Sequence, residues 1–292
     1  KAFEVFKKIS SLEPANARIR LTLAEYYRDE GNNQKSFEQL SLAFESEKLN
    51  IDAKVAIIVS YIPIIEDEIY KNQVIELCKK LMFIHNGEPK AHAVYGDILY
   101  SLGDYEKSLE QYLIVLEKDK NRSQVWSQVL FIYAEQNNFS KVLDYSKEAL
   151  LIFPTNPLYY YFNGISNNRY KQYKSAVKSL TIGLEFIFDN DLLEIEFCIG
   201  LADAYHGLSN FTKSDSLYDF VLQKAPENTI VLNNYSYYLS LRKQKLNKAK
   251  EMSKKANELD PNNGTFQDTY AWILYQNQEY QEAKKWIEKA IL

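Results

Sequence analysis

The sequence predicts an all-α protein of stacked helix–turn–helix units, an α-solenoid, and three observations predict it. Residue types recur at a period of 34: Tyr105 and Phe139, Val115 and Ala149, Leu116 and Leu150 are matching pairs. Trp126, Tyr133 and Pro154 keep the same rhythm around them. A fixed period of this length marks helix pairs that cannot bury an apolar face alone and therefore stack. Second, helix-breaking Pro stands near the ends of the units, as in Asp260-Pro261-Asn262-Asn263, where Asn and Asp suit the turn and the next N-cap. Third, 46% hydrophobic and 25% charged residues are globular proportions. The 9 Gly and 7 Pro are dispersed at predicted turns, not gathered in a linker.

The elements follow in order. The chain opens in a helix over Ala2–Leu12, stopped by Glu13-Pro14. Full repeats are expected near 17–50, 51–88, 89–122, 123–156, 157–194, 195–228, 229–263 and 264–292. Small residues place them: Ala24, Ser36 and Ala43 in the first; Gly96 in the third; Gly164, Ala176 and Gly183 in the fifth; Ala202 and Ser214 in the sixth; Ser236, Ala249 and Ala256 in the seventh; Ala271, Ala283 and Ala290 in the eighth. Such side chains let paired helices approach closely, while aromatics fill the space between units. Three units are irregular. The second carries Pro63 inside its first helix and reads as a helix to Ile62, a loop over Pro63–Asp67 and a helix to Ile84. The fifth has extra residues around Phe188–Asp191, and the seventh one extra residue in Leu241–Lys245. Length alone would give about two domains; the unbroken repeat predicts one, 1–292.

The pattern resembles the tetratricopeptide repeat, whose slots 4, 7, 8, 11, 20, 24, 27 and 32 favour Trp, Leu, Gly, Tyr, Ala, Phe, Ala and Pro. The resemblance covers nearly the whole chain and is best in the last two repeats. It implies a right-handed superhelix whose first helices form an inner wall, and a non-catalytic scaffold or adaptor that holds a peptide segment of a partner protein there. The alternative is a regulatory or targeting module of a larger protein. Carried over slot by slot, the inner wall takes Phe131, Tyr161, Asn168, His206, Asn233, Tyr237, Trp272 and Tyr275 as candidate binding residues, with Leu158, Ile165, Ile199, Asp203, Ile230 and Asp268 beside them. Rigid aromatics give contact area at low entropy cost, and amides donate and accept at once. Slot 5 reads Leu21, Val55, Ala93, Ser127, Tyr161, Ile199, Asn233 and Asp268. It holds no Lys, so the carboxylate clamp of chaperone-binding relatives is not expected.

Charge and chemistry narrow the classes further. Net charge is −4, from 35 Lys+Arg against 39 Asp+Glu, which argues against a general nucleic-acid binder. The basic run Arg242–Lys255 and the acidic run Glu185–Glu196 read as solvated helix faces. His85 and His92 are separated by Asn86-Gly87-Glu88-Pro89 and do not form a zinc pair; Asp203 and His206 lie three apart on one face, a common surface spacing. No phosphate loop, nucleophile elbow or metalloprotease motif is present in the sequence. Catalysis, cofactors and metals are therefore not expected. Cys78 and Cys198 read as separate buried thiols.

No apolar run approaches the roughly 20 residues that cross a bilayer. The chain begins with Lys inside a repeat, so upstream sequence is expected. Residue usage is similar to that of bacterial tetratricopeptide proteins, many of them lipid-anchored, which favours the envelope over the cytoplasm. The last helix presents Ala283, Ile287, Ala290 and Ile291 with no following repeat, which points to self-association there.

Overall fold

Asn and Asp recur just ahead of the apolar segments, and each starts a helix. In the computed structural model, which describes residues 6, 8, 9, 11–13 and 16–291, the side chain of Asn16 accepts from the Ile19 N–H at 3.3 Å, Asn32 from Lys35 at 3.1 Å, Asp67 from Ile69 at 2.8 Å and Asn228 from Val231 at 3.0 Å. Each bond satisfies a donor that the first helical turn leaves open. The result is all-α: sixteen α-helices and one 3-10 turn among the described residues, with no strand. The helix expected over Ala2–Leu12 falls largely outside the described residues.

Two compact units divide the chain, Lys1–Asn137 and Asn138–Leu292. The first holds α1 (Ala17–Asp29), α2 (Asn33–Phe44), α3 (Ile51–Val59), α4 (Glu68–Ile84), α5 (Pro89–Ser101), α6 (Tyr105–Lys118) and α7 (Ser123–Glu135). Its pairs close as the small residues require. A Cβ on Gly96 would lie 2.6 Å from the Tyr112 ring. The Ser108 hydroxyl donates to the Gly96 carbonyl at 2.8 Å, and Ser36 does the same to Ala24 at 2.7 Å. The second repeat departs from its prediction. Helix α3 stops at Val59 rather than Ile62, its end held by the Ser60 hydroxyl on the Ile57 carbonyl at 2.6 Å. The expected loop instead contains a 3-10 turn, Ile62–Ile64. Pro63 has a backbone angle suited to a first turn and no N–H to lose there.

The same repeat buries Lys54. Its ammonium donates to the Phe44 carbonyl at 2.8 Å and the Ser46 carbonyl at 3.0 Å, closing the end of α2. Burial lowers its pKa to about 8 from an ordinary 10.5.

The second unit holds α8 (Phe139–Ile152), α9 (Pro157–Arg169), α10 (Tyr173–Leu184), α11 (Asp191–Gly207), α12 (Phe211–Lys224), α13 (Thr229–Leu241), α14 (Leu246–Leu259), α15 (Gly264–Gln276) and α16 (Tyr280–Ile291). The sixth repeat starts one turn before Ile195, because Asn190 caps α11 by accepting from the Leu193 N–H at 3.0 Å. Lys224 then binds Asp191 at 2.8 Å and Glu194 at 2.5 Å. These acids face a cation and complement the helix N-terminus, so this part of the acidic run is not simply solvated.

The basic run is corrected in the same way. Arg242 pairs with Asp215 at 2.7 Å, Lys248 with Asp219 at 2.6 Å and Lys250 with Glu279 at 2.6 Å, while Lys255 donates to the Pro226 carbonyl at 3.0 Å. Helices α12, α13 and α14 are tied to their neighbours by charges that looked unpaired along the sequence.

A left-handed residue ends the first helix of seven repeats: Gly31, Gly103, Asn137, Lys171, Ser209, Lys243 and Gln278, with φ between 51° and 76°. The following N–H bonds back across it, Gln172 to the Asn167 carbonyl and Asn210 to that of Tyr205, each at 2.8 Å. Only Gly adopts this conformation without a steric cost, so most of these positions carry one.

Two outcomes follow. Lys171→Gly is expected to raise the melting temperature by about 2–4 °C, roughly 1 kcal/mol, whereas a mid-helix control, Lys178→Gly, lowers it by a similar amount. Calorimetry of the three proteins decides. For Lys54, the unfolded chain holds a proton between pH 8 and 10.5 that the folded chain has lost. Stability of the parent relative to Lys54→Met should therefore rise through that window, by about 2 kcal/mol after allowance for solvent screening at the ammonium. Equal pH profiles for the two proteins in thermal melts would contradict the burial of a charged amine.

Candidate functional site

Within the second unit, α9, α11 and α13 are the first helices of three successive repeats. Their facing side chains enclose a cleft of about 490 Å³. Small residues admit its walls: a Cβ on Gly207 would overlap the Tyr173 ring, and one on Gly164 would overlap Leu180. Tyr161, Asn168 and His206, expected from their slots, line it together with Ile165, Ile199, Asp203 and Ile230.

The hydrogen bonding of the cleft is specific. The Tyr161 hydroxyl donates to Glu196 at 3.1 Å, and the Asn168 amide donates to the Gly200 carbonyl at 2.8 Å. The Asn168 Oδ1 is buried with no partner. Asp203 accepts from the hydroxyls of Tyr218 and of Tyr238, the latter at 3.3 Å. Burial raises the Asp203 pKa, and the two tyrosine bonds oppose that rise. Both hydroxyls are held above their ordinary range, first by burial and then by the nearby carboxylate.

His206 has a different environment. Its ring stacks on Tyr238 at 3.7 Å and tilts against Phe211 at 5.4 Å. Burial lowers its pKa, the Arg242 cation lowers it further, and Asp215 opposes both. Arg242 lies over the Phe211 ring at 4.6 Å. The Asp203–His206 spacing is thus part of a packed network, not an incidental surface pair.

Other slot assignments land elsewhere. Asn233 is 5% exposed, and its amide donates to Asn234, which lines the cleft in its place. Tyr237 is likewise displaced by Tyr238. Both shifts are one residue toward the C-terminus, as expected when helical side chains lean toward the N-terminus and each covers the turn before it. Trp272 and Tyr275 stack at 6.0 Å and line a separate apolar cavity of about 420 Å³ between α15 and α16, with Asp268, Tyr280 and Ile287. Phe131 belongs to the first unit and is 42% exposed. Outside the slots, Glu196, Arg169 and Phe139 also line the cleft. The last two come together as a cation over a ring at 5.0 Å.

Elsewhere, Cys78 and Cys198 are separate, buried free thiols whose pKa values burial raises. His92 meets Gln111 at 2.9 Å. Among the described residues no cluster of His, Cys, Asp and Glu could hold a metal, and no helix is long and apolar enough to cross a membrane.

Comparison with known proteins agrees with this architecture. The family model described as Tetratricopeptide repeat matches residues 268–292. That segment is similar to a tetratricopeptide repeat. Over 72 residues it is 29% identical to the TPR repeat-containing protein PA4667 of Pseudomonas aeruginosa, a match covering 25% of this chain and 12% of that relative. The chain therefore spans only about an eighth of the curated relative it matches. Among solved structures, a tetratricopeptide repeat protein from Parabacteroides merdae superposes with a TM-score of 0.63 at 14% identity, covering 82% of this chain and all of that one. YrrB, a TPR protein with an unusual peptide-binding site, gives 0.54 at 18% identity, over 69% of this chain and 97% of its own. PilW, a type IV pilus biogenesis factor, gives 0.60 at 14% identity, over 69% and 91%. At these identities the likeness is one of fold.

The cleft should respond to acid through His206. Its folded pKa lies below the ordinary 6.5, so the unfolded chain binds a proton that the folded chain resists. Stability should fall as pH drops below 6.5. A His206→Gln variant should lose less over pH 6.5 to 5, with the gap to the parent changing by about 2–4 °C in thermal melts. Parallel pH profiles would remove this assignment.

Proposed function

We propose that this chain is a non-catalytic scaffold that holds a peptide segment of a partner protein in the cleft of α9, α11 and α13. One observation carries the reading: first helices of three successive repeats combine aromatic rings, the aliphatic Ile165, Ile199 and Ile230, and the amides of Asn168 and Asn234 in one open cleft. Apolar surface supplies affinity, and amides match the alternating donors and acceptors of a peptide backbone. YrrB, of similar fold, is a TPR protein with an unusual peptide-binding site, which supports a peptide as the occupant. PilW, also of similar fold, is a type IV pilus biogenesis factor, and the reading extends to an assembly role at a bacterial envelope.

Site-specific photo-crosslinking in the native cell tests both parts. Ile230, 57% exposed at the cleft, is replaced by a photoreactive phenylalanine, with Lys178 on α10 as the control position. A discrete protein adduct from position 230 and none from 178 is expected. Adducts of equal yield at both positions would exclude the cleft as the docking surface. An adduct formed only with cytoplasmic proteins would exclude the envelope assembly.

A further inference from the structure

The cleft is not neutral in character. Two carboxylates line it, Glu196 and Asp203, two turns apart on α11, and Arg169 is the one Lys or Arg among its described lining residues. Arg169 already lies on the Phe139 ring at 5.0 Å. His206, the remaining titratable base, has its pKa lowered by burial and by Arg242. Both tyrosines that bind Asp203 use the same oxygen, Oδ1, so Oδ2 keeps its lone pairs for another donor. The Tyr161 hydroxyl engages Glu196 Oε2 alone.

A second observation is independent of the acids. Asn168 gives its amide to the Gly200 carbonyl, which leaves its Oδ1 buried in the cleft wall with no donor. A buried acceptor without a donor is costly and rare. At Asn168 the missing partner is a donor. Around the acceptors stand the aliphatic Ile165, Ile199 and Ile230 and the side chains of Tyr161 and Tyr238. A long apolar stem ending in several N–H donors and a positive charge matches both halves of that surface.

We propose that the cleft is a receptor for a basic side chain, an arginine or lysine of the docked peptide, with Asp203 and Glu196 as its counter-charges. This rests on the reading of the cleft as a peptide-docking surface. Arg169 acts against it as a resident like charge, so its removal should strengthen binding.

The test is selection from a display library of random dodecamer peptides on the purified chain. Titrations of the selected peptides follow against the parent, Glu196→Gln, the double variant Glu196→Gln/Asp203→Asn, Arg169→Gln and Tyr161→Ala. Circular dichroism first establishes equal helicity. Asparagine at 203 keeps an oxygen for the two tyrosine hydroxyls, and the exposed position 196 provides a variant with little bearing on folding. Selected peptides should carry Arg or Lys at one recurring position. Replacing it with norleucine should weaken binding to the parent about tenfold, but less than about threefold to the double variant. Glu196→Gln alone should cost about threefold, and Arg169→Gln should tighten binding by a similar factor. Peptides that need Tyr161 but show no basic preference would overturn the basic-residue receptor and leave peptide docking intact. Peptides indifferent to Tyr161→Ala, or no selected peptides at all, would overturn the docking reading and the receptor with it.

Discussion

The close approach of the two helices within each repeat is the constraint on which the other features depend. Where Gly96 meets Tyr112, or Gly164 meets Leu180, there is no room for one more carbon. Packing at that distance fixes the pair as a rigid block and leaves the outer faces of the helices to make every other contact. Serine strengthens the approach twice, from Ser36 to the Ala24 carbonyl and from Ser108 to that of Gly96. A hydroxyl can reach a partner-helix carbonyl only when the backbones are this near. The left-handed residue after a first helix acts in the same direction by reversing the chain without spreading the pair.

A division of labour between the helices follows. In the second unit the second helices supply the lysines of the ionic ties: Lys224 to Asp191 and Glu194 at the start of α11, Lys248 to Asp219, Lys250 to Glu279. Such partly exposed pairs contribute little individually. Their spacing of about one repeat nevertheless favours one register between neighbours. Beyond the acids at the start of α11, the first helices present aromatic, aliphatic, amide and carboxylate groups to the cleft. Arg242 is the exception. It is half-buried in its pair with Asp215 and lies over Phe211, and from there its charge lowers the pKa of His206 at the cleft.

Fold class, repeat order and the role of small residues were legible in the sequence because they depend on contacts within one period. The start of α11 and the 3-10 turn at Pro63 were not, because each depends on capping at an irregular joint. The charged runs misled for a related reason. Lys248 and Asp219 stand 29 residues apart, and nothing local announces the pair. Of the slot residues, Tyr161, Asn168 and His206 line the cleft, while Asn233 and Tyr237 stand next to Asn234 and Tyr238, which line it. A step of one residue is about a hundred degrees of helix, enough to exchange a lining side chain for a packed or solvent-facing one. Asp203 was visible as a groove position. Its two tyrosine partners, 15 and 35 residues away, were not.

The Asp203 network explains why this cleft can stay both polar and ordered. A buried carboxylate is tolerated only when donors replace its lost water. Here they come from α12 through Tyr218 and from α13 through Tyr238, so the charge of α11 is held by the helices packed beside it. Tyr238 also carries the His206 ring on its face. One side chain thus joins the carboxylate to the imidazole and links α11 to α13. A substitution at Tyr238 would disturb the width of the cleft and its charge together, because in this repeat the residue that sets the geometry is also the one that bonds the acid.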